Sequence, residues 1–276
     1  MRKFISVLLA AAVTLSLGAC GSKQDDTATS EDVLHVGMEC NYAPYNWSQA
    51  DDSNGAVPIQ NVANMYTNGY DVQVAQKIAD AMGKKLEIES YEWDSLIPGV
   101  QSGKLDMIIA GMSPTAERRE KIDFSNNYYT SNLVIVTKQG NLSDVKTIAD
   151  LKGKKIAAQS GTFHLTALTD QTEAEVSELA DFSTMFIALG AGTIEGYVAE
   201  EPTAMAVCAD PNYTYIPLKN NDTGFSVEDD EVSIAVGVKK GSELTEQINS
   251  ALADLNADAQ KDLMQQMVNI APAEEE

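Results

Sequence analysis

Apolar positions follow two alternating spacings along most of the chain. Val33–Met38 is a short apolar run, as in a buried strand, whereas the apolar residues of 74–82 recur at helical spacing. Gly83 follows where a glycine commonly ends a helix. Leu86 and Ile88 then alternate with acidic residues, as in another strand. This alternation predicts an α/β fold in which helices cover a central sheet.

A second series of the same kind begins after about residue 131. In the first series we also predict a helix over 93–101 and a buried strand over 106–110. In the second series we predict strands over 155–158, 196–199, 213–218 and 232–238, and helices over 162–168 and 182–189. Leu244, Ile248, Leu252 and Leu255 mark one face of a single late helix. Two polar stretches, 51–68 and 220–231, predict loops, the first near the mouth of any site.

The N-terminus has the layout of a secretory signal. Arg2 and Lys3 precede an apolar run, and Leu17-Gly18-Ala19 stands directly before Cys20. The run is too short for a membrane span, so residues 1–19 predict a cleaved signal peptide, the alternative being a helix that stays attached. The residues before Cys20 resemble the lipobox of bacterial lipoproteins, which implies a lipid on Cys20. We expect residues 20–31 to be a flexible tether, because after Cys20 they contain no apolar residue larger than alanine.

Composition excludes several classes of function. The formal net charge is −22, which opposes binding to nucleic acid. The chain has no HExxH, P-loop or GxSxG motif, and the glycines of 190–196 have the wrong spacing for a dinucleotide loop. Cys40 and Cys208 form no CxxC pair, so we expect neither a metal site nor a cofactor.

The segment Gly111-Met112-Ser113-Pro114-Thr115-Ala116-Glu117-Arg118 has the strongest chemical content. It follows a predicted strand and enters a helix whose first turns carry Arg118. Backbone N–H groups at a helix start attract anions, and a guanidinium binds a carboxylate through two parallel hydrogen bonds. A capped helix start with a surface arginine is the alternative.

Several motifs together indicate a family. The chain carries, in order, ECNYAPYNW, GYDVQVAQKIADAMG, WDSLIPGVQSGKLDMIIAG, GMSPTAERREKIDFS, QSGT and GYVAEEPTA. Over residues 33–268 it resembles the polar amino-acid family of extracytoplasmic solute-binding proteins, which serve ABC importers. The resemblance implies the type II periplasmic binding protein fold, an α/β fold of two lobes with a ligand closed between them.

The family fold also implies how the chain divides. The first lobe would contain residues 32–131 plus 232–276, and the second lobe would contain residues 132–231. Two crossing strands, near 133–137 and 232–238, would join the lobes.

The resemblance further implies a site for a zwitterion. Arg118 would hold the ligand carboxylate, with Ser113 and with Thr162 at a helix start in the second lobe. Glu200 would pair with the ligand ammonium, and Gly111 would offer its carbonyl to the same group. Arg118 and Glu200 would lie on different lobes, so that the ligand bridges them and favours closure.

Other positions bear on the ligand side chain. Tyr42 and Trp93 match positions where family members stack aromatic rings on it, and Glu39 matches an acid found in binders of basic amino acids. Phe163 and His164 depart from the hydroxyl and amide that many relatives carry. We expect a cationic ligand, namely arginine, lysine, ornithine or histidine. A neutral polar or sulfur amino acid, such as glutamine or cystine, is the alternative.

The sequence thus predicts a lipid-anchored, monomeric, extracytoplasmic receptor that carries a free L-amino acid to ABC permease and ATPase subunits. Two other functions stay open. One is an enzyme on the same fold, a dehydratase with Glu39 and His164 as the candidate acid and base. The other is a sensor that signals through a second membrane chain.

Overall fold

The computed structural model describes residues 32–218 and 223–272. The predicted signal peptide (residues 1–19), the lipid on Cys20 and the tether (residues 20–31) lie outside these described residues. The predicted acidic loop at 220–231 is described from residue 223 onward.

Fourteen strands are present in the described residues. In chain order they are β1 (Val33–Met38), β2 (Asn41–Tyr42), β3 (Asn46–Gln49), β4 (Val57–Pro58), β5 (Tyr66–Asn68), β6 (Lys85–Ser90), β7 (Met107–Ile108), β8 (Asp123–Thr130), β9 (Leu133–Lys138), β10 (Lys155–Gln159), β11 (Glu175–Leu179), β12 (Gly196–Glu200), β13 (Tyr213–Pro217) and β14 (Ser233–Val238).

Eight α-helices cover the sheets of the described residues. They are α1 (Tyr70–Met82), α2 (Trp93–Ser102), α3 (Ala116–Lys121), α4 (Phe163–Gln171), α5 (Phe182–Gly190), α6 (Glu201–Val207), α7 (Leu244–Ala251) and α8 (Ala257–Ile270). No helix of residues 32–218 and 223–272 is both long enough and apolar enough to span a membrane.

Two five-stranded sheets form the cores of two lobes, which confirms the predicted α/β class. The first sheet has the order β6-β1-β7-β14-β8, and the second has the order β11-β10-β12-β9-β13. In each sheet four strands run in one direction, and one strand, β14 in the first sheet and β9 in the second, runs antiparallel to its two neighbours. Mixed sheets covered by helices on both faces are typical of α/β folds.

The chain passes twice between the two sheets. The crossing strands were expected near 133–137 and 232–238. The strands found there are β9, which pairs within the second sheet, and β14, which pairs within the first. The crossings are therefore the connections that lead into these two strands, namely residues 131–132 before β9 and, in the described residues before β14, residues 223–232. These connections are tied by a backbone hydrogen bond of 2.9 Å from the N–H of Ser131 to the carbonyl of Val232.

Alternation along β9 explains why the second sheet is covered on both faces. Leu133 and Ile135 belong to one buried apolar cluster, whereas Val134 and Val136 belong to another. Successive side chains of a strand point to opposite faces, so a continuous apolar run places core on each side. The helices of the second lobe supply the partners on both faces.

The prediction of a polar loop over residues 51–68 is wrong. This stretch contains β4 and β5, which join β2 and β3 in a third, four-stranded sheet. Ile59 is buried and bridges to Ile88 of β6, so the insertion packs on the first lobe. Polar composition concealed these strands because they are only two or three residues long.

The end of the chain also differs from the prediction. The expected late helix ends at Ala251, before Leu252 and Leu255 of the predicted apolar face. A second helix, α8, follows and is capped by Asn256, whose side chain accepts hydrogen bonds from the N–H groups of Asp258 and Ala259. Helix α8 packs against α1 and β8 of the first lobe and also against α6 of the second. Cys40 and Cys208 are free thiols.

The start of α1 yields a test of backbone strain. Gly69 has a φ of +133°, and a Cβ built there would lie 2.2 Å from the carbonyl oxygen of Tyr45. We expect Gly69→Ala to lower the free energy of unfolding in urea by about 3 kcal/mol, because backbone atoms cannot give way.

Gly83 provides the matched control for that substitution. Its φ is +66° and its Cβ position has nothing within 4 Å. Gly83→Ala should therefore lower the free energy of unfolding by only about 1–2 kcal/mol, the cost of a left-handed conformation for alanine. Equal losses in the two variants would contradict the clash at Gly69.

Candidate functional site

Arg118 is a buried cation held by carbonyl groups. The side chain of Thr115 accepts from the Arg118 N–H at the start of α3, and Arg118 itself is only 8% exposed. Its guanidinium donates to the carbonyl oxygens of Ser113 at 3.0 Å and Gly161 at 3.3 Å. Burial lowers the pKa of Arg118 to about 10, so it stays charged at neutral pH. Among the described residues, no carboxylate lies within 4 Å of it.

Thr162 stands opposite Arg118, at the start of α4. The turn before it contains Gly161 with a φ of +67°. The Thr162 hydroxyl donates to the carbonyl oxygen of Gln159 at 2.7 Å and makes no hydrogen bond that caps the helix. The positive end of this helix therefore faces the same space as the guanidinium of Arg118.

Glu200 is a buried, ionised carboxylate at the end of β12. Tyr42 donates its hydroxyl to Oε2 of Glu200, and Nε2 of His164 lies 3.0 Å from Oε1. The His164 N–H is poorly aligned for a hydrogen bond, so the contact is an ion pair when the ring is protonated. Burial by itself would raise the pKa of Glu200, but the charge of His164 and the hydrogen bond from Tyr42 outweigh this effect and hold the pKa below its usual value.

Glu39 lies directly after β1 and lines the same cavity as Arg118. Its Oε1 accepts a hydrogen bond of 2.9 Å from Nε2 of Gln159 on the second lobe. Burial raises the pKa of Glu39 to about 8, against the effect of that hydrogen bond. The surrounding carboxylates that raise it further are Asp181, Glu92 and Asp94. The surroundings of Glu39 therefore favour a cation.

The two aromatic residues expected to stack on a ligand contact protein groups in the structure. The Tyr42 ring stacks on Tyr45, with centroids 4.8 Å apart, and on Phe182 at 4.1 Å. The Trp93 ring lies 5.0 Å from the guanidinium carbon of Arg118. Ligand stacking on these rings stays a prediction.

All the predicted binding residues line one cavity between the lobes. They are Glu39, Tyr42, Trp93, Gly111, Ser113, Arg118, Thr162 and Glu200. The cavity measures only about 10 Å³ for a water-sized sphere, which is about one water molecule. A cleft of about 670 Å³ adjoins it past Trp93 and Arg118. An amino acid can enter only if side chains or lobes move apart.

Asp71 supports the first-lobe half of the site, and sequence reasoning missed it. It is fully buried in the first turn of α1, where it accepts from Nδ2 of Asn46 at 2.8 Å, from the hydroxyl of Tyr128 at 2.7 Å and from the N–H of Gly111. Burial raises the pKa of Asp71 to about 6 despite these donors. The network fixes Gly111 relative to the segment that carries Tyr42.

Other members of the cavity wall were also missed. Gln159 and Phe182 line it from the second lobe, and Ala110 from the first. Gln159 stands in the QSGT motif, which was the available signal. Nothing local distinguishes Phe182 from a core residue. Ser113, expected to help hold a carboxylate, donates its hydroxyl to the carbonyl of Glu231 at 2.7 Å.

No metal site accompanies this arrangement within the described part of the chain. Residues 32–218 and 223–272 contain no group of three or more side chains placed to hold a metal ion.

Comparison with known proteins gives one consistent result. The model of the bacterial extracellular solute-binding proteins, family 3, matches residues 34–268. The arginine-binding extracellular protein ArtP of Bacillus subtilis (strain 168) is 28% identical over 258 residues, which cover 92% of this chain and 93% of that protein. A probable histidine-binding protein of Campylobacter jejuni is 34% identical over 216 residues, covering 76% of this chain and 78% of that protein.

A solved structure shares the fold. The amino acid ABC transporter substrate-binding protein AbpA of Streptococcus pneumoniae, bound to L-arginine, superposes with a TM-score of 0.74. It is 27% identical, and the match covers 87% of this chain and 96% of that chain. The two-lobed architecture is therefore the same in both proteins.

The bond between Tyr42 and Glu200 yields a test of the closed arrangement. Tyr42→Phe keeps the stacked ring but removes the donor to a buried ionised carboxylate. We expect the free energy of unfolding in urea to fall by about 2 kcal/mol, the usual worth of a hydrogen bond to a charged group.

Tyr45→Phe is the control, since the Tyr45 hydroxyl is buried without a hydrogen-bond partner among the described residues. Its removal should leave stability unchanged or raise it. If both variants lost the same stability, the cross-lobe bond would make no special contribution.

Proposed function

The chain belongs to family 3 of the bacterial extracellular solute-binding proteins, and on this premise we propose that it binds one free L-amino acid between its lobes and delivers it to an ABC importer. Membership confirms the family resemblance inferred from the motifs. It also means that the protein works outside the cytoplasm. The relatives named for arginine and histidine support an amino acid as the ligand.

One observation carries the proposal. A buried cation, Arg118, stands in the same cavity as a buried anion, Glu200, and the two come from different lobes. The zwitterionic head group of an amino acid presents one carboxylate and one ammonium, which match these two charges. Its carboxylate would give Arg118 the anionic partner that the described residues do not supply. Its ammonium would replace Tyr42 on Glu200.

The side chain of the ligand is proposed to be cationic. Glu39 lines the cavity, and three more carboxylates act on it electrostatically. A guanidinium or ammonium bound there would relieve the repulsion among these acids. We propose arginine, lysine, ornithine or histidine, with a neutral polar or sulfur amino acid as the alternative.

Several features of the whole protein belong to the same proposal. We propose that Cys20 carries the lipid that holds the protein at the membrane, on the basis of the residues before it and the polar tether after it. The lobes, residues 32–131 plus 232–276 and residues 132–231, would move about the two crossings. The protein would act as a monomer together with permease and ATPase subunits.

The enzyme alternative has less support. A dehydratase would need Glu39 or His164 directed at a reacting carbon. In the structure Glu39 accepts from Gln159, and His164 lies against Glu200. We therefore propose a binding protein without catalysis. Product formation from prephenate or arogenate would overturn this view.

Isothermal titration calorimetry against the twenty amino acids, ornithine and cystine tests the function. We expect the cationic amino acids to bind and Arg118→Met to weaken the best ligand about a hundredfold or more, because a buried charge partner is removed. Arg119→Met is the control, since Arg119 is exposed and pairs with Asp230 at 3.1 Å.

Arg119→Met should bind like the unaltered protein. Binding of neutral amino acids alone would refute the cationic assignment. A chain that binds no amino acid, or an Arg118→Met variant with full affinity, would refute the proposed site.

The raised pKa of Glu39 gives a second test. The pKa of Glu39 is about 8, so this carboxyl is largely neutral at a lower pH, and a bound cationic side chain must cause it to ionise. Affinity for a cationic amino acid should therefore rise with pH, by at most about tenfold per unit between pH 6 and 8, and level off above.

Glu39→Gln should flatten most of this profile, whereas Glu92→Gln, which alters a neighbouring exposed carboxylate, should preserve it. A profile that survives Glu39→Gln unchanged would show that the cationic side chain is held elsewhere.

A further inference from the structure

His164 is a buried imidazole without a satisfied hydrogen-bond pattern. It is the second residue of α4, and its side chain is 5% exposed. Its Nδ1 has no hydrogen-bond partner among the described residues, and its Nε2 lies 3.0 Å from Oε1 of Glu200. Buried polar groups are nearly always paired, so this imidazole calls for an explanation. Its one close polar neighbour within the described residues is the carboxylate proposed to bind the ligand.

Among the groups around His164, that carboxylate is the one whose charge acts on the imidazole at close range. Phe163 and Phe182 flank the ring, with centroids 4.3 Å and 6.2 Å away, and carry no charge. The charged side chains that line the cavity are Glu200, Arg118 and Glu39, and the Tyr42 hydroxyl lies beside Glu200. The other two strands packed against α4 carry Lys155 on β10 and Glu175 and Glu178 on β11. Of these, only Glu200 makes an ion pair with His164 within residues 32–218 and 223–272.

We propose that His164 is a positioning residue for Glu200: as an imidazolium it keeps this carboxylate ionised and oriented before the ligand arrives, and it loses its proton when the ligand ammonium takes up the same carboxylate. In this step the N–H bond of the ring breaks, its electron pair stays on the nitrogen, and the proton passes to water or buffer. The inference rests on the proposed function, because it assigns the ammonium to Glu200.

Two physical reasons favour loss of the proton. An ammonium on Glu200 stands a few ångströms from Nε2 of His164, and two cations on one buried carboxylate repel each other strongly in a site with little water. The start of α4, a nine-residue helix, also disfavours a positive charge on its second residue. Before the ligand binds, the negative charge of Glu200 offsets this unfavourable interaction between the helix start and the imidazolium. After binding, the ligand ammonium neutralises Glu200, and the offset is lost.

A structural role alone predicts something different. A histidine that only filled space would keep one protonation state through binding, and its replacement would change stability without changing the pH dependence of affinity. A positioning role couples ligand binding to proton release. It therefore adds an acid-side loss of affinity that is separate from the effect of Glu39.

The chain contains only two histidines, which makes a direct measurement possible. His35→Gln removes the other one, which lies half-exposed on β1 near Glu87 and Glu89 and away from the cavity. Histidine NMR signals at pH 6 then report His164 alone. We expect an imidazolium signal without ligand and a neutral imidazole signal after saturation with L-arginine.

Glu200→Gln in the same background should give a neutral imidazole with or without L-arginine, because the compensating anion is gone. An imidazolium signal that persists at saturation, or one that Glu200→Gln leaves unchanged, would overturn the proposal. The two ligand-free spectra, with Glu200 and with Glu200→Gln, show whether His164 and Glu200 form an ion pair, even if the protein does not bind L-arginine. That failure would count against the proposed ligand instead.

A second measurement separates His164 from Glu39. In a Glu39→Gln background, affinity for L-arginine should fall about tenfold from pH 7.5 to pH 5.5 through His164, the order expected for one coupled proton. Adding His164→Gln, whose amide can still donate to Glu200 but does not titrate, should reduce that change to less than about twofold. Equal pH profiles in the two variants would refute proton release by His164.

Discussion

The closed arrangement of this protein depends on two opposite charges that are buried in one cavity and belong to different lobes. Arg118 comes from the first turn of α3, and Glu200 from the junction of β12 and α6. Carbonyl groups of both lobes hold the guanidinium, and Tyr42 and His164 hold the carboxylate. Because isolated buried charges are costly, each half of the site is completed by groups that the other lobe brings to it.

The same logic explains the rest of the site wall. Glu39 on the first lobe accepts from Gln159 on the second, and its neighbouring carboxylates make that part of the cavity receptive to a cation. Asp71 takes no part in the cavity, but its three donors fix the backbone of Gly111 against α1 and the small sheet. A polar network of this kind stabilises one arrangement only when all of its members are satisfied.

The cavity is closed but has no space for a ligand, because side chains of the protein make the contacts that a ligand would make. The Tyr42 hydroxyl occupies the carboxylate of Glu200, and the Tyr42 ring fills the space against Phe182. Binding in such a cavity exchanges internal contacts for ligand contacts, so that affinity reflects a difference between two closed states. The pairing of His164 with Glu200 adds a proton to the same exchange.

The sequence by itself determined the alternation of strands and helices, the family motifs and the charged residues that meet in the cavity, because periodicity and motif order are local properties of the chain. Only the tertiary structure decided how these residues pair. It revealed the sheet within residues 51–68, the break before α8, the support from Asp71 and the stacking of Tyr42 on Phe182. These contacts join residues far apart in sequence, and neither polarity nor spacing along the chain specifies which distant group will neutralise a buried charge or cover a buried ring.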